Sequence, residues 1–161
     1  MSLNKASKIK FKLYKQKPMK PKIYIAGDHA SPALKSNLIN LLTELKYQVE
    51  DLGTNDTKSV DYPDYANLLA EKLLIHPDAK GILICGTGIG ISIAANRHKH
   101  IRAALCHSLE DAELTRQHND ANVLCIGART TSAAVAQGMV QVFLNTQFMG
   151  GRHAKRIEKM C

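Results

Sequence analysis

Apolar positions along this chain follow two alternating patterns. Five short runs read as strands: KIYIAG at 22–27, the half-polar YQVEDL at 47–52, KGILIC at 80–85, IRAALC at 101–106 and NVLCI at 122–126. Between them the period lengthens to that of a helix. Leu34, Leu38, Leu41, Leu42 and Leu45 make one apolar stripe, and Ala66, Leu69, Ala70, Leu73 and Leu74 make the next. A helix opens after Cys85 and carries Ile91 to Ala95. Another carries Ala112, Leu114 and Thr115, and a long one rich in alanine and valine runs from Thr131 to Asn145. A short amphipathic helix follows Gly150-Gly151 and reaches Arg156. Local punctuation agrees with these boundaries. Ser31-Pro32 predicts an N-cap and a first-turn proline, Asp61-Tyr62-Pro63 starts the second helix, and Ser108 with Asp111 forms an N-cap pair.

Nearly continuous apolar strands alternating with helices predict an α/β fold: a five-stranded parallel sheet covered on both faces, joined by right-handed crossovers. In such sheets a ligand lies beyond the carboxyl ends of the strands. The polar residues just past those ends are Asp28 and His29, Cys85 to Gly90, His107 and Arg129.

The stretch GILICGTGIGISIAAN at 81–96 reads as a buried strand, a tight glycine loop and a helix start. A loop of that kind aims N–H groups and the positive end of a helix dipole at one point, where an anion is stabilised. A thiolate there is favoured too, so Cys85 is a candidate base or nucleophile; its bland alternative is a small core residue. The spacing is GxGxG, not the GxGxxG of dinucleotide loops. The strand that follows ends at Cys106-His107 without an acidic residue for a ribose hydroxyl, and no GK[ST] is present. A smaller anion suits the loop better than a nucleotide.

Charge alters the picture less than the total suggests. The net charge is +8, but residues 1–22 carry eight lysines and no acid. The rest of the chain holds 14 basic and 14 acidic residues and is balanced. Residues 1–20 are expected to form a basic tail and residues 21–161 a single domain, which argues against nucleic acid as the partner of the domain itself. No apolar run is long enough to span a bilayer and no secretory h-region is present, so a cytoplasmic protein is expected. Cys85, Cys106, Cys125 and Cys161 form no CxxC pair, and free thiols are expected. His76, His98 and His100 read as surface residues; a metal at His98-x-His100 would lack further ligands at a matching spacing. Arg129, Arg152 and Arg156 are candidates for clamping a phosphate or carboxylate, against the plainer reading of a solvated face.

Seven separated motifs in order resemble the B-type ribose-5-phosphate isomerase family, with its allose- and galactose-6-phosphate isomerase relatives. They are GDHA at 27–30, DYPDYA at 61–66, CGTGIGISIAAN at 85–96, IRAALCHS at 101–108, RQHNDANVL at 116–124, GAR at 127–129 and GGRHAKRI at 150–157. The resemblance covers about residues 20–158. It implies a three-layer α/β/α, Rossmann-like fold with strand order 2-1-3-5-4 and a C-terminal helix. It also implies a homodimer or homotetramer with active sites shared between subunits, no metal, no organic cofactor and no membrane. The implied reaction interconverts ribose 5-phosphate and ribulose 5-phosphate through a cis-enediolate, in the pentose phosphate pathway.

The resemblance also distributes roles. Cys85 is similar to the base that shuttles a proton between the two carbons. Thr87 and the backbone of Gly86, Gly88, Ile89 and Gly90 resemble the enediolate hole. His118 resembles the acid that opens the furanose ring, and Asn119 binds the sugar beside it. Asp28, His29 and Tyr62 resemble substrate contacts. Arg129, Arg152 and Arg156 resemble substrate and phosphate ligands, some of them reaching a neighbouring subunit. Ser31-Pro32 departs from the family's glycine and aromatic at those positions, and Arg97 stands where lysine is usual. Allose 6-phosphate or another hexose 6-phosphate is the alternative substrate. A non-catalytic sugar-phosphate sensor or a redox thiol protein with Cys106 or Cys125 as resolving partner are alternatives of other classes.

Overall fold

A computed structural model describes residues 19–160, so most of the expected basic tail, and Cys161, lie outside the described residues. Five strands form one sheet: β1 (Ile23–Gly27), β2 (Val49–Asp51), β3 (Lys80–Cys85), β4 (Ala103–Leu105) and β5 (Val123–Gly127). Their order is β2-β1-β3-β5-β4, and every neighbouring pair is parallel. Among the described residues six helices flank the sheet: α1 (Pro32–Glu44), α2 (Tyr62–Ile75), α3 (Ile89–Ala95), α4 (Leu109–Asn119), α5 (Ala133–Asn145) and α6 (Arg152–Ile157).

Strand alternation divides the core into two halves. Ile23, Ile25, Ile82, Ile84, Leu124 and Ile126 face α1 and α5, meeting Leu34, Leu38, Leu42, Met139, Val140 and Phe143. Tyr24, Ala26, Leu83, Cys85, Val123 and Cys125 face α2 and α3, meeting Leu69, Leu73 and Ile91. Both faces being covered explains why β1, β3 and β5 read as unbroken apolar runs.

Three local expectations change. Ser31 does not cap α1 through its side chain. Its backbone is already helical, and its hydroxyl donates to the Asp28 carbonyl at 2.7 Å. Leu74, in the last turn of α2, is 65% exposed, and Leu114 is 38% exposed; neither joins the core stripe of its helix. Ser108 and Asp111 do form the expected reciprocal cap on α4. No helix among the described residues is long and apolar enough to cross a membrane.

The outer strand β4 carries an unusual cover. Asn96, just past α3, donates its side-chain amide to the Ala103 carbonyl and accepts the Ala103 N–H, both at 2.8 Å.

Candidate active site

Cys85 is the last residue of β3 and is buried. The chain turns immediately through Gly86, Thr87 and Gly88 into α3. Gly88 adopts the left-handed region, with φ of 77°. A Cβ there would stand 2.5 Å from Leu105 Cδ1 and 3.0 Å from the Gly127 nitrogen, so only glycine fits. This tight turn points the Gly88 N–H back at Cys85 Sγ, 3.1 Å away. Sγ is thus a hydrogen-bond acceptor held at the mouth of the loop. Ile89 donates its N–H to Thr87 Oγ1 at 3.3 Å, and the Thr87 hydroxyl is otherwise exposed.

Neighbouring strands supply the surroundings of the loop. Ala128 N–H donates to the Cys85 carbonyl at 2.8 Å, and Arg129 N–H to the Gly86 carbonyl at 2.9 Å. The Arg129 guanidinium therefore lies over the loop, with Nη1 3.1 Å from where a Cβ on Gly86 would be. The Tyr62 ring packs on Gly90, 2.6 Å from the equivalent point. Asp28 is buried at the end of β1; its N–H donates to the Ile84 carbonyl at 3.1 Å and its carboxylate accepts the Ala30 N–H at 2.9 Å. His29 Nδ1 accepts the Val60 N–H at 3.3 Å, so the neutral ring carries its hydrogen on Nε2. Asp28, His29, Tyr62, Cys85, Thr87, Gly86, Gly88, Ile89, Gly90 and Arg129 thus share the carboxyl edge of the sheet. His107 is there too, but it is exposed, and its N–H is held by the Asp111 carboxylate at 2.9 Å.

The other two described cysteines differ in chemistry. Burial and the nearby Asp111 push the Cys106 thiol up to about 12, and burial raises Cys125 well above the usual thiol range. Both are poor partners for thiol exchange, which needs a thiolate. All three described cysteines are free.

His118 and Asn119 lie elsewhere. They end α4, which returns from the carboxyl end of β4 to the amino end of β5. Asp120 follows in the left-handed region and is gripped from two sides. Arg102, just before β4, donates to the Asn119 and Asp120 carbonyls at 3.1 and 3.0 Å through Nε, and its Nη2 reaches the Asp120 carboxylate at 3.1 Å. Arg116 adds 2.7 Å to the other carboxylate oxygen and 2.6 Å to the Ala121 carbonyl. The Met149 N–H donates to Gln117 at 3.1 Å and brings α6 alongside. There His153 stacks on His118, and Arg152 and Arg156 are exposed on the same short helix. A cavity of about 510 Å³ beside this group is lined by Arg97, His98, Arg102 and Asn119, without Cys85.

The expected residues therefore fall into two groups at opposite edges of the sheet. At ~3.3 Å per residue, the six residues of β3 separate the edges by roughly 17–20 Å. Within one chain Cys85 and His118 cannot act on the same sugar. Three residues that hold the second group, Arg102, Arg116 and Asp120, were missed as site builders, as was His153. All lie inside or beside the motifs IRAALCHS, RQHNDANVL and GGRHAKRI, and only their spacing around His118 singles them out. Among the described residues no three His, Cys, Asp or Glu side chains gather as metal ligands.

Known proteins similar to this chain point to one family. The family model described as Ribose/Galactose Isomerase matches residues 23–160. The chain is 43% identical over 137 residues to ribose-5-phosphate isomerase B of Escherichia coli, which spans 85% of this chain and 92% of that protein. The solved structure of a ribose 5-phosphate isomerase from Thermotoga maritima superposes with a TM-score of 0.86 at 48% identity, covering 88% of this chain and 98% of that one. Ribose-5-phosphate isomerase B from Mycoplasma genitalium, solved with bound ribulose-5-phosphate, gives a TM-score of 0.85 at 43% identity, covering 88% and 95%. With its strand order, its glycine loop and this match across almost the whole described chain, the protein belongs to the ribose/galactose isomerase family.

Proposed function

We propose that this protein interconverts ribose 5-phosphate and ribulose 5-phosphate through a cis-enediolate, as a homo-oligomer whose active sites each join two chains. The observation that carries the chemistry is Cys85 Sγ receiving the Gly88 N–H at the mouth of a glycine loop. The names of the relatives favour the pentose phosphate over a hexose phosphate.

The reaction divides between the two edges. His118, from the partner chain, donates a proton to the ring oxygen while the anomeric hydroxyl passes its proton to solvent, the C1–O4 bond breaks, and the open aldehyde results. The Cys85 thiolate takes the proton from the carbon beside the carbonyl. Negative charge moves to the oxygens, where the Thr87 hydroxyl and the N–H groups of the loop receive it. One such donor is worth about 3–4 kcal/mol. Gly88 and Ile89 spend their N–H groups inside the loop before substrate arrives. The hole therefore relies on the remaining N–H groups and on Thr87. The proton on the C2 oxygen passes to the C1 oxygen across the cis-enediolate, and Cys85 returns its own proton to C1, giving the ketose. Asp28, His29 and Tyr62 line the sugar, and Asn119 binds it from the partner. Arg129 over the loop, with Arg152 and Arg156 of the partner, holds the phosphate dianion through paired charge-assisted bonds.

The split supports the two-chain reading. In a two-fold dimer the carboxyl edge of each chain faces the amino edge of the other, which makes two equal sites. Exposed Ile89 and Ile93, 52% and 62% exposed on α3 beside Tyr62, give that face an apolar character. The presence of both Cys85 and His118 weighs against a sensor lacking base or acid, and the raised thiols of Cys106 and Cys125 weigh against a redox pair. The decisive assay follows ribose 5-phosphate conversion with and without a chelator, with turnover expected in both. A preference for allose 6-phosphate of about tenfold or more in kcat/KM would move the protein to the six-carbon branch. Mixing Cys85→Ala and His118→Ala chains, each at about 1% of wild-type activity or less alone, is expected to restore about a quarter of wild-type activity, since half of a random mixture is heterodimer with one intact site. No restoration would exclude shared sites.

A further inference from the structure

His118 carries no visible support from hydrogen bonds. Its neighbours on α4 are tied down, Arg116 to Asp120 and Ala121 and Gln117 to Glu113. Among the described residues neither nitrogen of His118 has a hydrogen-bond partner within the chain. A working imidazole usually has its ring plane fixed by a bond to one nitrogen while the other does chemistry. Here the contact seen on the ring among the described residues is a face. The His153 ring lies 4.4 Å from it, centroid to centroid, at an interplanar angle of 10°.

We propose that His153 is a positioning residue for the reaction: its flat ring, stacked on His118, sets the plane of the acid's imidazole. The proposal rests on the assignment of His118 as the ring-opening acid. His153 is built for a passive role. It is 6% exposed, and α6 is pinned at its start by the Met149 bond to Gln117, so the ring has little freedom. The charged or titratable groups that bear on it are His118 from α4 and Arg152 and Arg156 from its own helix. Burial first, then these neighbours, hold His153 below the usual imidazole range. A stack leaves both His118 nitrogens free, one for the ring oxygen and one for solvent or the partner chain.

The test compares His153→Phe, which keeps a flat face without titrating, with His153→Ala and His153→Leu, which do not. Each is assayed as the assembled enzyme on ribose 5-phosphate and on 4-deoxyribose 5-phosphate. The latter lacks the hydroxyl that closes the furanose ring and needs no acid to open it. The Ala and Leu variants are expected to lose about tenfold in kcat on ribose 5-phosphate, with KM and the 4-deoxy rate within about twofold, and Phe is expected to recover to within about threefold. The Leu variant decides the matter if Ala does not fold. Equal losses on both sugars, a Phe variant as poor as Leu, or unchanged rates in all three would each overturn the proposal. A wild-type enzyme inactive on ribose 5-phosphate would instead overturn the functional reading beneath it.

Discussion

The two edges of the sheet reach comparable precision by different means. At the carboxyl edge the backbone does the placing. A left-handed Gly88, a Cβ-free Gly86 under Arg129 and an N–H aimed at Sγ fix the loop with few side-chain bonds. At the amino edge side chains do it: two arginines on Asp120 and one imidazole on another. A half-site built from backbone tolerates no added atoms. One built from side chains has several supports and loses them one at a time.

That contrast can be tested most severely at Cys85. Cys85→Ala removes the base and is expected to lower kcat by about 10³-fold or more, with ribose 5-phosphate binding retained by calorimetry; retained turnover would exclude the assignment. Gly88→Ala comes next. Its Cβ meets Leu105 and the Gly127 backbone, so the loop must shift; about 10²-fold in kcat and roughly 2–3 kcal/mol of stability should go together in rate and urea-unfolding measurements. Loss of neither would show that backbone does not set this edge. His118→Ala should cost about 10²-fold on ribose 5-phosphate and far less on 4-deoxyribose 5-phosphate, an asymmetry that Cys85→Ala should lack. The mildest change is Asp120→Asn. With the Arg102 carbonyl bonds intact, about 1–2 kcal/mol of stability and a KM rise of about two- to threefold are expected. A collapse of activity there would mean that the amino edge has no redundancy.

The same contrast explains what could be read from the sequence. The sheet was legible because buried strands must be apolar on both faces, and the loop because glycines mark backbone that a Cβ would obstruct. The cap formed by Ser108 and Asp111 obeyed a local rule. Ser31 did not, because packing against Gly27 and the Asp28 turn drew its hydroxyl inward. The amino-edge group resisted reading for a different reason. Arg102 and Asp120 are 18 residues apart, and His118 and His153 are 35 apart, so no local period joins them. His118 was assigned through resemblance alone. That it sits a full strand length from Cys85 follows from parallel topology, which a residue pattern predicts only after the crossovers are drawn.

The side chain of Asn96 has a consequence for how copies of this protein can meet. By offering Ala103 both a donor and an acceptor, its amide occupies the register that an arriving strand would use. A parallel sheet ending in an open strand invites extension by any extended segment nearby. Here the outermost backbone already has its partner in a side chain two turns of chain away. Sheet-to-sheet fusion is therefore closed at this position. Copies that met along this edge would have to do so through the flanking helices and not through the Ala103 backbone.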